Sequence, residues 1–345
     1  MSSKKYNIAV VGATGAVGEE ILLLLEEMEI PVNKLIPLAS ARSAGSRVTF
    51  KNKEVAVLEL TESVFKEQEV EIALFSAGGS ISEKYAPHAA KAGAVVVDNT
   101  SFFRMMDDVP LVVPEVNPED IKEWKKTGII ANPNCSTIQM VIALKPLDKE
   151  YGIKRIDVST YQATSGAGKL AMDELMNQMR DVMNFRFENT KVEKFPHKIA
   201  INVIPQIDKF TENGFTKEEL KMVNETQKIM HKKMQIASTC VRVPVLRGHS
   251  EAVTVHFEDI IDADDAREIL SKAEGVTVID EPQKSKYPMP LEATGKNDTF
   301  VGRIRNDIYD KSILHMWITA DNLRVGAATN AVKIVKKWIE MEENK

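Results

Sequence analysis

The chain has 345 residues, which corresponds to two domains of ordinary size, and its 43% hydrophobic and 28% charged content is typical of a soluble globular protein. The net charge of −5 excludes an overall basic field for nucleic acid, and no apolar run approaches the roughly 20 residues of a membrane span. The N-terminus shows no signal-peptide pattern, and the two cysteines form no CxxC pair, so we expect a cytoplasmic protein without a disulfide scaffold or metal site.

The first predicted elements are a strand, a glycine-rich turn and a helix. An apolar run at residues 6–11 precedes GATGAVG at residues 12–18, and helical apolar spacing follows. This order opens a dinucleotide-binding fold, in which the helix N-terminus presents N–H groups to a pyrophosphate. The spacing is GxxGxxG rather than GxGxxG, so the motif alone leaves a tight turn without ligand as an alternative. The predicted cofactor contacts in this turn are Gly12, Ala13, Thr14, Gly15, Ala16 and Val17.

The second strand, at residues 34–40, indicates which cofactor is bound. A free ribose 2′-hydroxyl usually meets an Asp or Glu at the end of this strand. Here the strand runs into Ser40, Ala41 and Arg42, with no acid. An arginine and neighbouring hydroxyls suit a 2′-phosphate, so we predict NADP rather than NAD. The alternative for Arg42 is a solvated loop charge.

Two further strands, at residues 71–77 and 94–101, flank a predicted helix. This βαβ alternation predicts a parallel sheet, and ligands bind at the carboxyl edge of such sheets. Arg104 follows the second of these strands and therefore lies at the predicted ligand-binding edge.

Cys135 is the candidate nucleophile. It follows the strand at residues 128–131 and the sequence Asn132-Pro133-Asn134, and it precedes a new apolar helical run. Helix N-terminal amides stabilise a thiolate, lower its pKa and can receive an oxyanion that forms on an attacked carbonyl. Cys240 lies in a predicted core strand without a helix start beside it, so we expect it to be buried and inert.

The second half of the chain supplies further polar candidates. A long strand within residues 154–169 ends in a glycine loop that lacks the P-loop pattern. Thr216 begins a helix with a capping box, on which Glu218 and Lys221 share a face. From the residues alone this pair could be a solvated ion pair. His249 follows a glycine at a strand start, so we expect it to be accessible and to be an acid or base with a pKa near neutrality.

Six segments in chain order resemble bacterial aspartate-semialdehyde dehydrogenases: GATGAVG, DNTSFFRM, ANPNCSTIQM, STYQATSGAGK, VRVPVLRGHSEA and DNLRVGAATN. The resemblance covers essentially the whole chain. It implies an α/β fold with an N-terminal Rossmann-type parallel-sheet domain and an α+β catalytic and dimerisation domain of the glyceraldehyde-phosphate dehydrogenase-like type. The implied ranges are residues 1–133, with the C-terminal helix 321–345 packing back on that domain, and residues 134–320. A homodimer is also implied.

The resemblance also implies an activity. This is the NADPH-dependent reduction of β-aspartyl phosphate to aspartate semialdehyde, with release of phosphate, in lysine, threonine, methionine and diaminopimelate synthesis. Cys135 would form a thioester, His249 would supply a proton and Gln162 would orient the acyl group or His249. Substrate binding is implied for Arg242, Glu218, Arg104, Lys221 and Asn134, and cofactor binding for Ser165, Gly166 and Asn322.

Two other functions compete with this one. An N-acetyl-gamma-glutamyl-phosphate reductase resembles the chain, but its motif generally has glycine before the cysteine, where this chain has Asn134. A partner for a free ammonium, such as Glu218, would also have no role with an acetylated nitrogen. A non-enzymatic NADP-binding regulator would not need Cys135, His249 and Arg242 together.

Overall fold

This computed structural model describes residues 4–344, which form two compact units. The first unit contains residues 4–134 and 327–344, and the second contains residues 135–326. The functions expected for residues 1–133 and 134–320 stay predictions.

The first unit contains a six-stranded sheet in which every neighbouring pair is parallel, as the βαβ alternation predicted. Its strand order is β5-β2-β1-β6-β7-β8, and a separate hairpin joins β3 to β4. The strands are β1 Tyr6–Val11, β2 Val32–Ala39, β3 Arg47–Phe50, β4 Lys53–Ala56, β5 Leu58–Glu59, β6 Ile72–Phe75, β7 Val95–Asp98 and β8 Ile129–Ala131. The helices are α1 Ala16–Glu27, α2 Val64–Glu67, α3 Gly79–Lys91 and α9 Asn330–Glu343.

The glycine turn lies where the strand order reverses, because β1 pairs with β2 on one side and β6 on the other. Gly12 has a φ of 85°, and its N–H donates to the Leu38 carbonyl at 2.8 Å. A Cβ on Gly18 would lie 2.2 Å from the Gly12 carbonyl oxygen, so α1 packs directly against the turn. The reversal of strand order creates the crevice in which open α/β sheets bind ligands.

Helix α9 packs into the first unit, although it begins later than residue 321. The Asn330 amide donates to the Val112 carbonyl at 2.9 Å and to Asn132 Oδ1 at 2.7 Å. The Trp338 ring meets the Trp124 and Tyr6 rings edge to face, with centroids 5.7 and 5.9 Å apart. These contacts join the C-terminal helix to the core that α1 and the parallel strands form.

The second unit contains a mixed six-stranded sheet with the order β10-β9-β11-β14-β13-β12. Two pairs, β10 with β9 and β12 with β13, are parallel, and the others are antiparallel. The strands are β9 Ile153–Gln162, β10 Gln235–Arg242, β11 His249–Phe257, β12 Val276–Val278, β13 Thr299–Asn306 and β14 Ile313–Ala320. The helices are α4 Cys135–Tyr151, α5 Lys169–Met183, α6 Lys217–Met230, α7 Ala263–Ser271 and α8 Pro290–Ala293.

The register of three neighbouring strands collects polar side chains on one face of this sheet. Thr160 of β9 lies opposite Cys240 of β10 and Glu251 of β11. Two residues along, Gln162 lies opposite Arg242. Since side chains two apart on a strand share a face, these residues point to the same side, against which α4 packs.

The start of α6 confirms the predicted capping box. Thr216 Oγ1 accepts from the Glu219 N–H at 3.3 Å, and Glu219 Oε2 accepts from the Thr216 N–H at 2.7 Å. No helix within residues 4–344 is both long and apolar enough to cross a membrane.

Candidate active site

Cys135 is the first residue of α4, and the strand before it ends at Ala131, so the predicted strand-to-helix junction is confirmed. The side chain is partly exposed. Gly326 lies against it: a Cβ at that position would come within 2.6 Å of the Cys135 Cβ. The absence of a side chain at Gly326 therefore leaves the space that the cysteine occupies. The amides and dipole of a helix N-terminus favour a thiolate at this position.

Cys240 is fully buried in β10, as predicted. Burial raises the pKa of its thiol well above the ordinary value, and the nearby Glu218 acts in the same direction. The two cysteines of the chain are therefore in opposite environments, and only Cys135 is placed to react.

Arg242 ends β10 and is buried, with 6% of its surface exposed. One guanidinium nitrogen donates to the Ala163 carbonyl at 2.6 Å, and the group lies 5.9 Å from the Phe195 ring centroid. Burial lowers the pKa of Arg242, while attraction to Glu218 and to Cys135 opposes that effect. An arginine still has a strong tendency to keep its proton, so this site holds a desolvated positive charge whose field reaches the Cys135 sulfur.

A chain of hydrogen bonds runs from β9 to α6. Thr160 Oγ1 donates to Gln162 Oε1 at 2.9 Å, and Gln162 Nε2 donates to Glu218 Oε1 at 3.0 Å. Lys221 Nζ bridges Glu218, at 3.0 Å, and Asp208, at 3.2 Å. The pair expected on one helix face is present, but its buried carboxylate also fixes the Gln162 amide, so it is more than a solvated ion pair.

His249 begins β11 as expected, but the expectation that it is accessible is wrong: it is fully buried. Its Nδ1 accepts the Ala163 N–H at 3.0 Å, and the Gly248 main chain makes a weaker contact with the ring. Burial and the neighbouring Arg242 lower the pKa of His249 to about 3, and Glu218 only partly offsets them. The pKa near neutrality that we expected is therefore also wrong for this conformation, because the imidazolium would be buried beside a guanidinium.

The proton of the neutral His249 ring must reside on Nε2, because Nδ1 accepts a hydrogen bond. Within residues 4–344, Nε2 itself has no hydrogen-bond partner. A Cβ on Gly166 would lie 3.1 Å from this nitrogen and equally close to Arg242. Gly166 thus leaves room beside two donors that a side chain would fill.

Ser165 and Asn322 meet within the second unit. Ser165 Oγ and the Gly248 N–H both donate to Asn322 Oδ1 at 2.9 Å. Asn322 Nδ2 is buried and has no hydrogen-bond partner among the described residues. Two of the three residues expected near the cofactor thus form one arrangement that leaves an amide donor available.

The remaining predicted residues belong to the first unit. Thr14 and Gly15 are exposed at the start of α1, and Ser40, Ala41 and Arg42 are exposed after β2. This edge combines helix N-terminal amides with an exposed guanidinium, and both kinds of group can bind a phosphate.

Arg104 and Asn134 are both buried in the first unit. The Arg104 guanidinium donates to the Asn132 carbonyl at 2.9 Å and to the Asn99 carbonyl at 3.0 Å. Arg104 is therefore a positioned residue rather than a solvated charge, which its sequence context did not reveal.

Three contributors to the second unit's site were not predicted from the sequence: Thr160, which orients Gln162, the Ala163 main chain, which contacts Arg242 and His249, and Gly326. Only Thr160 carried a signal, since it lies two residues before Gln162 in an alternating strand. The other two act through backbone or through the lack of a side chain.

The chain is similar to known proteins over nearly its whole length. Residues 7–124 match the semialdehyde dehydrogenase NAD binding domain family, and residues 144–325 match the semialdehyde dehydrogenase dimerisation domain family. The chain is 63% identical over 340 residues to the aspartate-semialdehyde dehydrogenase of Campylobacter jejuni, covering 99% of both chains.

Two solved structures are also similar. Aspartate semialdehyde dehydrogenase II complexed with ASA from Vibrio cholerae has a TM-score of 0.95 and 49% identity over 98% of this chain and 99% of that one. The Candida albicans enzyme with NADP has a TM-score of 0.74 and 25% identity over 97% and 98%. With full-length similarity of this degree, the chain belongs to the aspartate-semialdehyde dehydrogenase family.

Proposed function

We propose that the chain reduces β-aspartyl phosphate to aspartate semialdehyde with NADPH, releases phosphate, and acts in lysine, threonine and methionine biosynthesis. The observation that carries this proposal is the partly exposed Cys135 at a helix start, in the field of a buried Arg242. The Vibrio cholerae enzyme complexed with ASA, and the names of the curated relatives, support the choice of substrate.

Cys135 is the nucleophile of the proposed reaction. Its thiolate attacks the acyl carbon, the new C–S bond forms, and the C–O bond to phosphate breaks with departure of phosphate. A thioester accepts hydride more readily than a carboxylate, which is why a covalent step suits this reduction. Arg242 and the α4 amides stabilise the thiolate.

His249 acts as a hydrogen-bond donor in this proposal. With Nδ1 fixed by the Ala163 N–H, the ring keeps its proton on Nε2 and offers it as a hydrogen bond to the acyl oxygen or to the departing sulfur. Bound NADPH supplies the hydride that reduces the thioester. The resulting tetrahedral oxyanion then collapses, its C–S bond breaks, and aldehyde and Cys135 are released.

The polar groups around the thiol would bind the two ends of the amino acid. Arg242 suits the substrate carboxylate because a guanidinium binds it in bidentate fashion, and Glu218 suits the ammonium. Lys221, Arg104 and Asn134 would bind phosphate. Gln162 would orient the acyl group, since Thr160 and Glu218 hold its amide from both sides.

NADP would bind the first unit through the glycine turn and Arg42, and Ser165, Gly166 and Asn322 are the cofactor contacts that the family resemblance implies for the second unit. The exposed Arg42 and the absence of an acid after β2 support NADP over NAD. The Candida albicans relative, solved with NADP, points the same way.

Cys135→Ala should lower kcat by at least about 10³-fold, because the covalent route is lost. The assay follows NADPH absorbance with aspartate semialdehyde, phosphate and NADP. Cys240→Ala is the matched control and should keep most activity, since that thiol is buried. Turnover of N-acetylglutamate semialdehyde instead would favour the acetylated-substrate reductase, and turnover of neither aldehyde would favour the regulator.

Arg42→Ala should raise KM for NADP by about 10-fold while leaving KM for NAD unchanged, because only NADP carries the 2′-phosphate. Arg47→Ala is the control, since Arg47 is an exposed arginine nearby that pairs with Glu54 at 2.9 Å. An equal effect on both cofactors would show that Arg42 does not read the phosphate.

His249 should make the folded protein sensitive to acid. The unfolded chain takes up a proton on this residue below about pH 6.5, whereas the folded protein does so only near pH 3, so stability falls as pH drops through this window. Between about pH 7.5 and pH 5, wild type should lose about 2 kcal/mol more than His249→Asn, which keeps an acceptor for the Ala163 N–H. Urea unfolding at both pH values measures the difference. An equal loss of unfolding free energy in wild type and His249→Asn would contradict a buried, neutral His249 ring.

We also propose a homodimer that forms through the face of the second unit's sheet opposite to α4. The matched dimerisation domain family supports it, as does Tyr161, which is 39% exposed and packs 5.3 Å from the Trp317 ring. Sedimentation velocity should give twice the chain mass for wild type and one chain mass for Tyr161→Arg. Leu23→Arg, on α1 of the first unit, should stay dimeric. A monomeric wild type would refute the proposal.

A further inference from the structure

A second polar pair lies behind the proposed reactive groups, and the mechanism above does not use it. Glu251 is two residues after His249 on β11, and Gln139 is one helical turn after Cys135 on α4. Both side chains are fully buried. None of the polar side-chain atoms of Glu251 and Gln139 forms a hydrogen bond within residues 4–344. The Gln139 amide is the polar group that acts on the Glu251 carboxyl.

The neighbours of Glu251 offer it no charge partner. On the sheet it lies between Thr160 of β9 and Ile318 of β14. On α4, Ile138 and Ile142 flank Gln139 and are buried. Burial raises the pKa of Glu251 well above its ordinary value, which favours the neutral carboxylic acid over the carboxylate.

A neutral carboxylic acid and a carboxamide complement each other. The acid offers one O–H donor and a carbonyl acceptor, and the amide offers N–H donors and a carbonyl acceptor. They can satisfy each other without a third partner, which an ionised carboxylate could not do, since it only accepts. A buried pair of this kind is directional, whereas the apolar side chains that surround it are not.

We propose that Glu251 and Gln139 are a positioning pair that fixes α4 on β11 and so sets Cys135 against His249. The inference rests on the proposed function. Each partner is directly linked to a reacting residue: Gln139 through one helical turn and Glu251 through one strand repeat. The first half of α4 packs through apolar residues that would tolerate a small slide or rotation of the helix. The polar pair removes that freedom, and a displacement of about 1 Å at a reacting group can cost about 10²-fold in rate.

The test compares Glu251→Gln with Glu251→Leu by melting temperature, by kcat and KM, and by the rate of Cys135 alkylation with iodoacetamide as a function of pH. Glu251→Gln keeps a neutral hydrogen-bonding group and should stay within about 3-fold of wild type in all rates. Glu251→Leu should fold but lose about 10-fold or more in kcat and in alkylation near pH 7, with KM within about 2-fold. Alkylation needs no substrate or cofactor, so its outcome is independent of whether the proposed substrate is correct.

A folded Glu251→Leu variant with unchanged alkylation and kcat would overturn the proposal, as would a Glu251→Gln variant as impaired as Glu251→Leu. If Glu251→Leu does not fold, a double variant that exchanges the two side chains, Gln139→Glu with Glu251→Gln, tests the proposal instead. Gln139→Glu alone places two acids together and should slow alkylation, and adding Glu251→Gln should restore it. Failure of this restoration would refute the pairing.

Discussion

The register of β10, β9 and β11 is the constraint on which the second unit's chemistry depends. It places Arg242 opposite Gln162, and Thr160 opposite both Cys240 and Glu251. The same strand pairing sets the position of His249, which lies one residue before Ser250 in the Ser250–Tyr161 pair. Because side chains alternate between faces, a shift of one residue in β9 would turn Gln162 away and bring Tyr161 in its place. β9, β10 and β11 must therefore pair in this register for these side chains to lie close together.

Burial gives this face its electrostatic character. Burial lowers the pKa of His249 and raises that of Glu251, so it favours the neutral form of both groups. Charge remains on Arg242 and on the chain from Glu218 through Lys221 to Asp208. A positive charge in a poorly solvated place acts more strongly on a neighbouring sulfur than one in water would. The positive charge of Arg242 therefore attracts the Cys135 thiolate more strongly than an exposed arginine would.

The parts of this structure that the sequence predicted are those set by neighbours in the chain. The strand before Cys135, the helix after it, the glycine turn at Gly12 and the capping box at Thr216 each depend on a few consecutive residues. The parallel sheet follows from their order. The bond between Gln162 and Glu218 joins residues 56 apart, and no local pattern specifies it. The accessibility expected for His249 was wrong for the same reason, because distant segments, including the Gly166 loop, cover its ring.

The same limit explains why Glu251 carried no sequence signal. In an alternating strand an acid usually indicates the solvent side, yet this one occupies an inward position with His249 and Val253. A buried acid of this kind is tolerated only when it is neutral or hydrogen-bonded. Its presence therefore indicates a polar group on the element that packs against this face of the sheet, and not exposure of its own strand. Gln139 on α4 supplies that surface. A polar residue that conflicts with local patterning is therefore informative, because a packed helix on the facing side must compensate for it.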